Sequence, residues 1–244
     1  MSEWLDGLSM AWGMFLAIPC PLRRWNERAR EKMLACLPLV GLVVGLLWAL
    51  CALLLRQAPA GVYAFCMAAL PWAATGFLHL DGFMDVCDAV LSRRGLETRQ
   101  RILKDSRCGA FAVICMVLLA LAQWSVFLER RGGLWWTLAL VPVCTRACAG
   151  LAVLCLRPLG TSQYAAMPAR RGGYAVALGL VLALCVGMAL LCGGSAAPLC
   201  AAAGYGLAVW HGFRQLDGMS GDISGFALTV GELAGCAAWA LMGG

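Results

Sequence analysis

"MLACLPLVGLVVGLLWALCALLL" occupies residues 33–55 and contains no charged side chain. At about 1.5 Å per residue, a helix of this length crosses the roughly 30 Å apolar core of a bilayer. Six further stretches share its character, at about 60–78, 109–128, 134–156, 174–192, 197–213 and 223–243; of these, 197–213 is short and holds His211. The composition agrees: 62% of the chain is hydrophobic, against roughly 45–50% for soluble domains, and the mean hydropathy is +0.80. The runs are continuous and not alternating, which argues against a β-barrel. The run Met10–Ile18 is too short for a span of about 20 residues. The sequence therefore predicts an all-α polytopic membrane helix bundle of about seven transmembrane helices, plus a short N-terminal interfacial or re-entrant helix. It is read as a single integral membrane domain over residues 1–244, with no internal repeat and no disordered linker.

Charge gives the orientation. Fifteen of the nineteen Lys and Arg residues fall in alternate connections, at Arg23–Lys32, Arg93–Arg107, Arg157–Arg171 and Arg214. The other connections hold only Arg56, Arg130 and Arg131, and Arg146 lies within the fourth span. The positive-inside bias predicts a cytoplasmic N-terminus and an outer C-terminus. It also accounts for the net charge of +6 without nucleic acid as a partner. The N-terminus, with Glu3 and Asp6, lacks the basic n-region of a secretory signal. The fourteen cysteines include no C-x-x-C pair and mostly lie inside apolar runs, so they read as small buried hydrophobes.

Against this background the acids of "HLDGFMDVCDA" (79–89) stand out. On a helix, Asp81, Asp85 and Asp88 fall within about 60° of one another. Three like charges on one stripe repel unless a cation or protonation compensates. A divalent cation, Mg²⁺ or Mn²⁺, suits hard oxygen ligands. The alternative is a solvated stripe paired with Arg93, Arg94 and Arg99. His79 is either a base or ligand, or a structural histidine at a helix end.

Two further segments fall on the same predicted face. "KDSRCGAF" (104–111) offers Lys104 and Arg107 as phosphate-binding cations, with Ser106 between them and Asp105 as another candidate metal ligand. Its plainer reading is a positive-inside loop. "GMSGDISG" (218–225) offers glycines, Gly221 among them, for close approach to a ligand. It also places a helix N-terminus there for phosphate and Asp222 as metal ligand. Its plainer reading is a turn with Asp222 as N-cap. Arg146 and Glu232 lie roughly 15 Å deep by helix rise. Charges at that depth are generally paired, so the two are expected to face the interior and pair, as a structural element or as substrate-binding residues.

Together these segments resemble cobalamin synthase, the adenosylcobinamide-GDP ribazoletransferase family. The resemblance covers nearly the whole chain. "FLAIPCP" (15–21) and "PLVGLVVG" (38–45) are similar to its N-terminal and first-span motifs. "HLDGFMDVCDA" resembles its HLDG-x-x-D-x-x-D signature, "KDSRCGAF" its K-D-S-R-x-G-x-F motif and "SGDISG" (220–225) its T-G-D-x-x-G motif. Departures fall at Ala89, Ala112, Asp217, Ser220, Phe226 and Thr229. The resemblance implies an Mg²⁺-dependent enzyme of late nucleotide-loop assembly. In it, a ribose hydroxyl of α-ribazole, or of its 5′-phosphate, attacks the corrinoid-side phosphorus of adenosylcobinamide-GDP. GMP leaves, and adenosylcobalamin or its 5′-phosphate forms. Asp81, Asp85 and Asp88 then hold metal, with Asp105 and Asp222 as further ligands. Lys104 and Arg107 hold the pyrophosphate, and His79 is a candidate general base. The implied setting is the prokaryotic cytoplasmic (inner) membrane with a cytoplasm-facing site, and with room for a homo-oligomer or for association with other corrinoid-assembly enzymes.

Two other classes compete. A CDP-alcohol phosphotransferase would share the aspartate chemistry, but its D-G-x-x-A-R pattern is absent after Asp81–Gly82. A secondary transporter would use Arg146 and Glu232, but such sites lie near the midplane, and most acids here gather at one face.

Overall fold

Charge-free apolar runs can satisfy their backbone in lipid by forming helices. The described residues form eleven of them, with no strand beyond one isolated bridge. The structure, a computed structural model, describes residues 3–22, 24–129, 134–160 and 172–242. Arg23, Arg130, Arg131, Arg170 and Arg171, used above for orientation, lie outside them. Helix α1 (Glu3–Phe15) is followed by α2 (Arg30–Ala35) and α3 (Leu37–Leu54). Then come α4 (Ala60–Ala74), α5 (Leu78–Leu91) and the short α6 (Leu96–Ile102). The long helices α7 (Ala110–Glu129), α8 (Trp135–Cys155), α9 (Gly172–Gly193), α10 (Ala197–Leu216) and α11 (Gly221–Met242) complete the order.

Five of these, α3, α7, α8, α9 and α11, are each long and apolar enough to span. The expected second span is broken: α4 and α5 pass only as a pair, bent by 91°. The expected sixth, α10, has 20 residues but falls outside the apolar set. The expected seven thus become five spans, or six with the bent pair, plus α10. Helix α1 begins earlier than the apolar run suggested. Its thirteen residues are tied to the α2 region by the Glu3–Lys32 ion pair and by Asn26 donating to Asp6 at 2.9 Å.

Helix α8 is the axis of the bundle, buried on nearly all sides and packed by α3, α9, α10 and α11. It is approached most closely by α3, where Gly41 and Gly45 lie directly on the carbonyls of Pro142 and Ala139. A Cβ at either glycine would overlap those oxygens, the small-residue packing that lets membrane helices touch backbone to backbone. Leucines on the opposite faces, such as Leu46 and Leu50 of α3, Leu118 and Leu121 of α7 and Leu180 and Leu184 of α9, are exposed. This apolar outer surface marks a membrane protein. All fourteen cysteines are free.

The break between α4 and α5 aims the acidic helix. Thr75 Oγ1 donates to the Pro71 and Trp72 carbonyls at 3.0 and 3.1 Å. Gly76 and Phe77 then take φ of 60° and 61°, the left-handed region that is strained for phenylalanine. The chain leaving α1 docks on the break, with Ala17 N donating to Ala74 O at 2.8 Å.

Candidate active site

Helix α5 carries its three aspartates on one stripe, and the structure gives the two ends of that stripe different surroundings. At the first end, α5 crosses α11 with no side chain between them. A Cβ on Gly82 would stand 2.8 Å from Asp222 O, and one on Gly225 would stand 3.1 Å from His79 O. This crossing brings His79 and Asp81 of α5 together with Gly221 and Asp222 of α11. All four line one cavity of about 140 Å³, with Arg146 of α8 and apolar side chains that include Phe15 of α1. The Phe15 ring stacks on buried His79 at 6.3 Å between centroids.

The start of α11 is fixed from outside. Asp217 ends α10 in the left-handed region, with φ of 61°. It is held there by Arg157 Nη2, which donates to its carboxylate at 2.6 Å and its carbonyl at 3.0 Å. Met219 N donates to Arg157 O, and Leu159 N to Met219 O, both at 2.8 Å. The N-cap read for Asp222 belongs to Ser220, whose Oγ accepts from Ile223 N at 3.3 Å. Asp222 lies beyond the cap in the first turn, facing the cavity that Asp81 lines.

At the other end of the stripe, Asp88 accepts from Gly109 N at 2.6 Å and from Ala112 N at 2.9 Å. Its two oxygens thereby cap the N-terminus of α7, a favourable place for a carboxylate. Asp85 lies between the ends and feels the charges of Asp81, Asp222 and Asp88. No ion pair joins Arg93, Arg94 or Arg99 to these aspartates among the described residues. Arg99 instead bonds Gln215, and Gln100 donates to Leu216 O at 2.7 Å, docking α6 on the end of α10.

The Lys104–Arg107 segment therefore shares an end of the bundle with α5 and the 216–222 turn, but it lies outside the cavity. Lys104, Ser106 and Arg107 are exposed. Arg107 grips Asp105 side-on, Nε to Oδ1 at 3.0 Å and Nη2 to Oδ2 at 2.7 Å. That guanidinium holds the Asp105 carboxyl at about 2, well below the usual carboxylate range. Both residues border a second hollow of about 580 Å³ with Arg94 and Arg101.

The deep charges pair as expected. Arg146 of α8 and Glu232 of α11 form a buried ion pair. Several site features escaped the sequence reading: Gly82 and Gly225 as contact points, Phe15 against His79, and the Arg157–Asp217 tie. The glycine inside H-L-D-G and the last glycine of 218–225 were the available signals for the first. Among the described residues no group of three or more His, Cys, Asp or Glu converges as a metal cage. Asp81 and Asp222 are the carboxylates that share the cavity.

Fold and site together define a polytopic helical membrane protein with a small, largely apolar cavity, into which two carboxylates and one arginine are set, where α5, α8 and α11 meet. The particular family follows from comparison with known proteins. The chain belongs to the cobalamin-5-phosphate synthase family, whose model matches residues 7–240. A Clostridium botulinum protein named adenosylcobinamide-GDP ribazoletransferase is 34% identical over 245 residues, covering 96% of this chain and 97% of its own. Proteins of the same name from Clostridium perfringens and Halalkalibacterium halodurans are 44% identical over 127 residues and 42% over 154. Those two alignments cover 51% of both chains, and 60% of this chain with 58% of the relative. No solved structure matches the chain.

Proposed function

We propose that this chain is an adenosylcobinamide-GDP ribazoletransferase acting at the cytoplasmic face of a prokaryotic inner membrane. A ribose hydroxyl of α-ribazole, or of its 5′-phosphate, attacks the corrinoid-side phosphorus of adenosylcobinamide-GDP. The new P–O bond forms as the bond to the bridging oxygen breaks. GMP leaves, and adenosylcobalamin or its 5′-phosphate remains. The observation that carries this reading is the cavity in which Asp81 and Asp222, from helices far apart in sequence, meet beside Arg146.

Displacement at phosphorus is mainly positioning and charge neutralisation. Two carboxylates on one cavity, with no third protein ligand beside them among the described residues, fit Mg²⁺, which is usually held by one or two carboxylates plus substrate phosphates. Asp81 and Asp222 would hold it, with Asp85 next along the stripe. Bound there, Mg²⁺ would neutralise charge on the phosphate oxygens. The protein's own work is orientation. The α5–α11 crossing sets the spacing of the two carboxylates, Asp88 anchors the Lys104–Gly109 segment, and Lys104 and Arg107 offer cations to the phosphates. The hydroxyl proton passes to a group on the cavity wall, the His79 imidazole or an Asp81 oxygen. The competing CDP-alcohol reading has no matching residue pattern, and the transporter reading has only the Arg146–Glu232 pair.

The test uses purified protein in detergent or liposomes, adenosylcobinamide-GDP and each ribazole form, with MgCl₂ or EDTA. GMP and a cobalamin product appearing only with Mg²⁺ are expected. A folded sample that makes neither product with either acceptor refutes the assignment.

A further inference from the structure

The ion pair at Arg146 is incomplete in an informative way. Its partners among the described residues all attach at one corner: Nη1 meets Glu232, the Thr145 hydroxyl at 3.3 Å and the Pro142 carbonyl at 3.5 Å. The other two nitrogens, Nε and Nη2, are buried and bond to no atom of the described residues. Their N–H groups run side by side and form the fork with which arginine grips carboxylates and phosphates. Buried donors are nearly always partnered, and two adjacent orphans on a residue only 2% exposed call for a ligand. The open volume this residue lines is the cavity of about 140 Å³ shared with Asp81 and Asp222. That space is ample for several waters and so accommodates a phosphate group.

We propose that the Nε/Nη2 edge of Arg146 binds two oxygens of a substrate phosphate inside this cavity. Glu232 is the positioning residue: it occupies the Nη1 corner, fixes the plane of the guanidinium and leaves the fork free. The proposal rests on the transferase reading above and deepens it, since it assigns the buried pair to substrate recognition. Two phosphates in that reaction share this chemistry: the pyrophosphate of adenosylcobinamide-GDP and the 5′-phosphate of a phosphorylated acceptor.

Arg146→Lys is the informative variant. Lysine keeps the charge that pairs with Glu232 but has no second edge. The full chain in detergent is melted with and without inorganic pyrophosphate in MgCl₂, and GMP release is followed with α-ribazole and with its 5′-phosphate. Pyrophosphate should raise the wild-type Tm, and R146K should lose that rise while keeping its ligand-free Tm. Its kcat/KM should fall roughly ten- to a hundredfold, the size expected for charge-assisted hydrogen bonds. An equal fall with both acceptors assigns the fork to the pyrophosphate. A fall confined to the phosphorylated acceptor assigns it to the 5′-phosphate. Should R146K fail to fold, the R146Q/E232Q double variant removes both charges together and carries the same test. No Tm rise in wild type, an equal rise in the variant, or kcat/KM within about threefold of wild type with both acceptors overturns the proposal, leaving water as the occupant. A wild type that shows the pyrophosphate shift but releases no GMP overturns the transferase reading and leaves the anion site standing.

Discussion

Replacing Gly82 with alanine tests whether the α5–α11 crossing sets the chemistry. The added Cβ would stand 2.8 Å from Asp222 O and 2.9 Å from Asp222 Cα. Non-bonded carbons settle at about 3.5–4.0 Å, so the two helices must part by roughly 0.5–1 Å at this point. The neighbour that must yield is backbone, which cannot rotate away. Overpacking of this kind costs about 1–3 kcal/mol, offset by the roughly 0.5–1 kcal/mol that alanine gains over glycine within a helix. The net loss of stability is therefore modest. The catalytic loss is larger, because Asp81 adjoins Gly82 and Asp222 is the residue struck. A displacement near 1 Å costs up to about a hundredfold in rate, so G82A should fold and lose roughly ten- to a hundredfold in GMP release.

The control is Gly187→Ala on α9, where an added Cβ meets nothing within 4 Å. It should leave turnover unchanged and raise the melting temperature slightly. Both variants and the wild type are compared by GMP release and by melting in the same detergent. Wild-type turnover in G82A, with a Tm raised as in G187A, would refute the argument that this backbone contact spaces the carboxylates.

Other expectations follow from the same geometry. Asp81→Asn and Asp222→Asn should each abolish most turnover with little change in melting, and near-wild-type rates in both at saturating Mg²⁺ would sink the metal-ligand assignment. Asp88→Ala should lower stability by about 0.5–2 kcal/mol, the value of a helix cap, because Gly109 N and Ala112 N lose their acceptor; an unchanged Tm with lost activity would return Asp88 to the metal. Arg107→Gln should raise the Asp105 carboxyl from about 2 toward its ordinary value of roughly 3.9. A depressed carboxylate keeps its pair above the unfolded value and loses it only as pH falls through the folded one, so in the wild type the pair persists to about pH 2. Carboxyl-carbon NMR reads both midpoints, and an Asp105 titration unchanged by R107Q would show that the Arg107 guanidinium is not what lowers it.

The spans were legible because hydropathy accumulates along a run and needs no partner. That is why 33–55 and 109–128 became α3 and α7. The bend at 75–77 was not legible from hydropathy, since 60–78 holds no charged residue. It arises from Thr75 bonding back, from a left-handed Phe77 and from Ala17 docking on Ala74 O, and the last of these involves a residue far away in the chain. The acidic stripe followed from helical period alone. Its division, with Asp81 at the cavity and Asp88 capping α7, depends on where α7 begins in space. Arg146 and Glu232 could be matched by depth, but depth does not say which corner of the guanidinium Glu232 takes. Asp217 read as a departure from a position where glycine is common. Its φ of 61° explains glycine there, and Arg157 explains how an aspartate is tolerated.

That division of α5 bears on how a long substrate is held. Asp81 and Asp88 are seven residues apart, roughly 10.5 Å along the axis, on a helix whose sides are fixed by α7 and α11. One end meets the cavity. The other holds, through Gly109 N, the loop whose Arg107 borders the outer hollow with Arg94 and Arg101. The cavity is walled mostly by apolar side chains, whereas the outer hollow is open and lined by Arg94, Arg101 and Arg107. A long ligand with a phosphate in the cavity would meet this basic loop if it extended along α5 from Asp81 toward Asp88. Loosening the loop should weaken binding more than it slows the chemical step. D88N should thus raise KM for adenosylcobinamide-GDP while lowering kcat less than D81N does. A D88N enzyme with unchanged KM and a kcat as low as that of D81N would mean that α5 acts as one metal-binding stripe, and not as a rigid link between two sites.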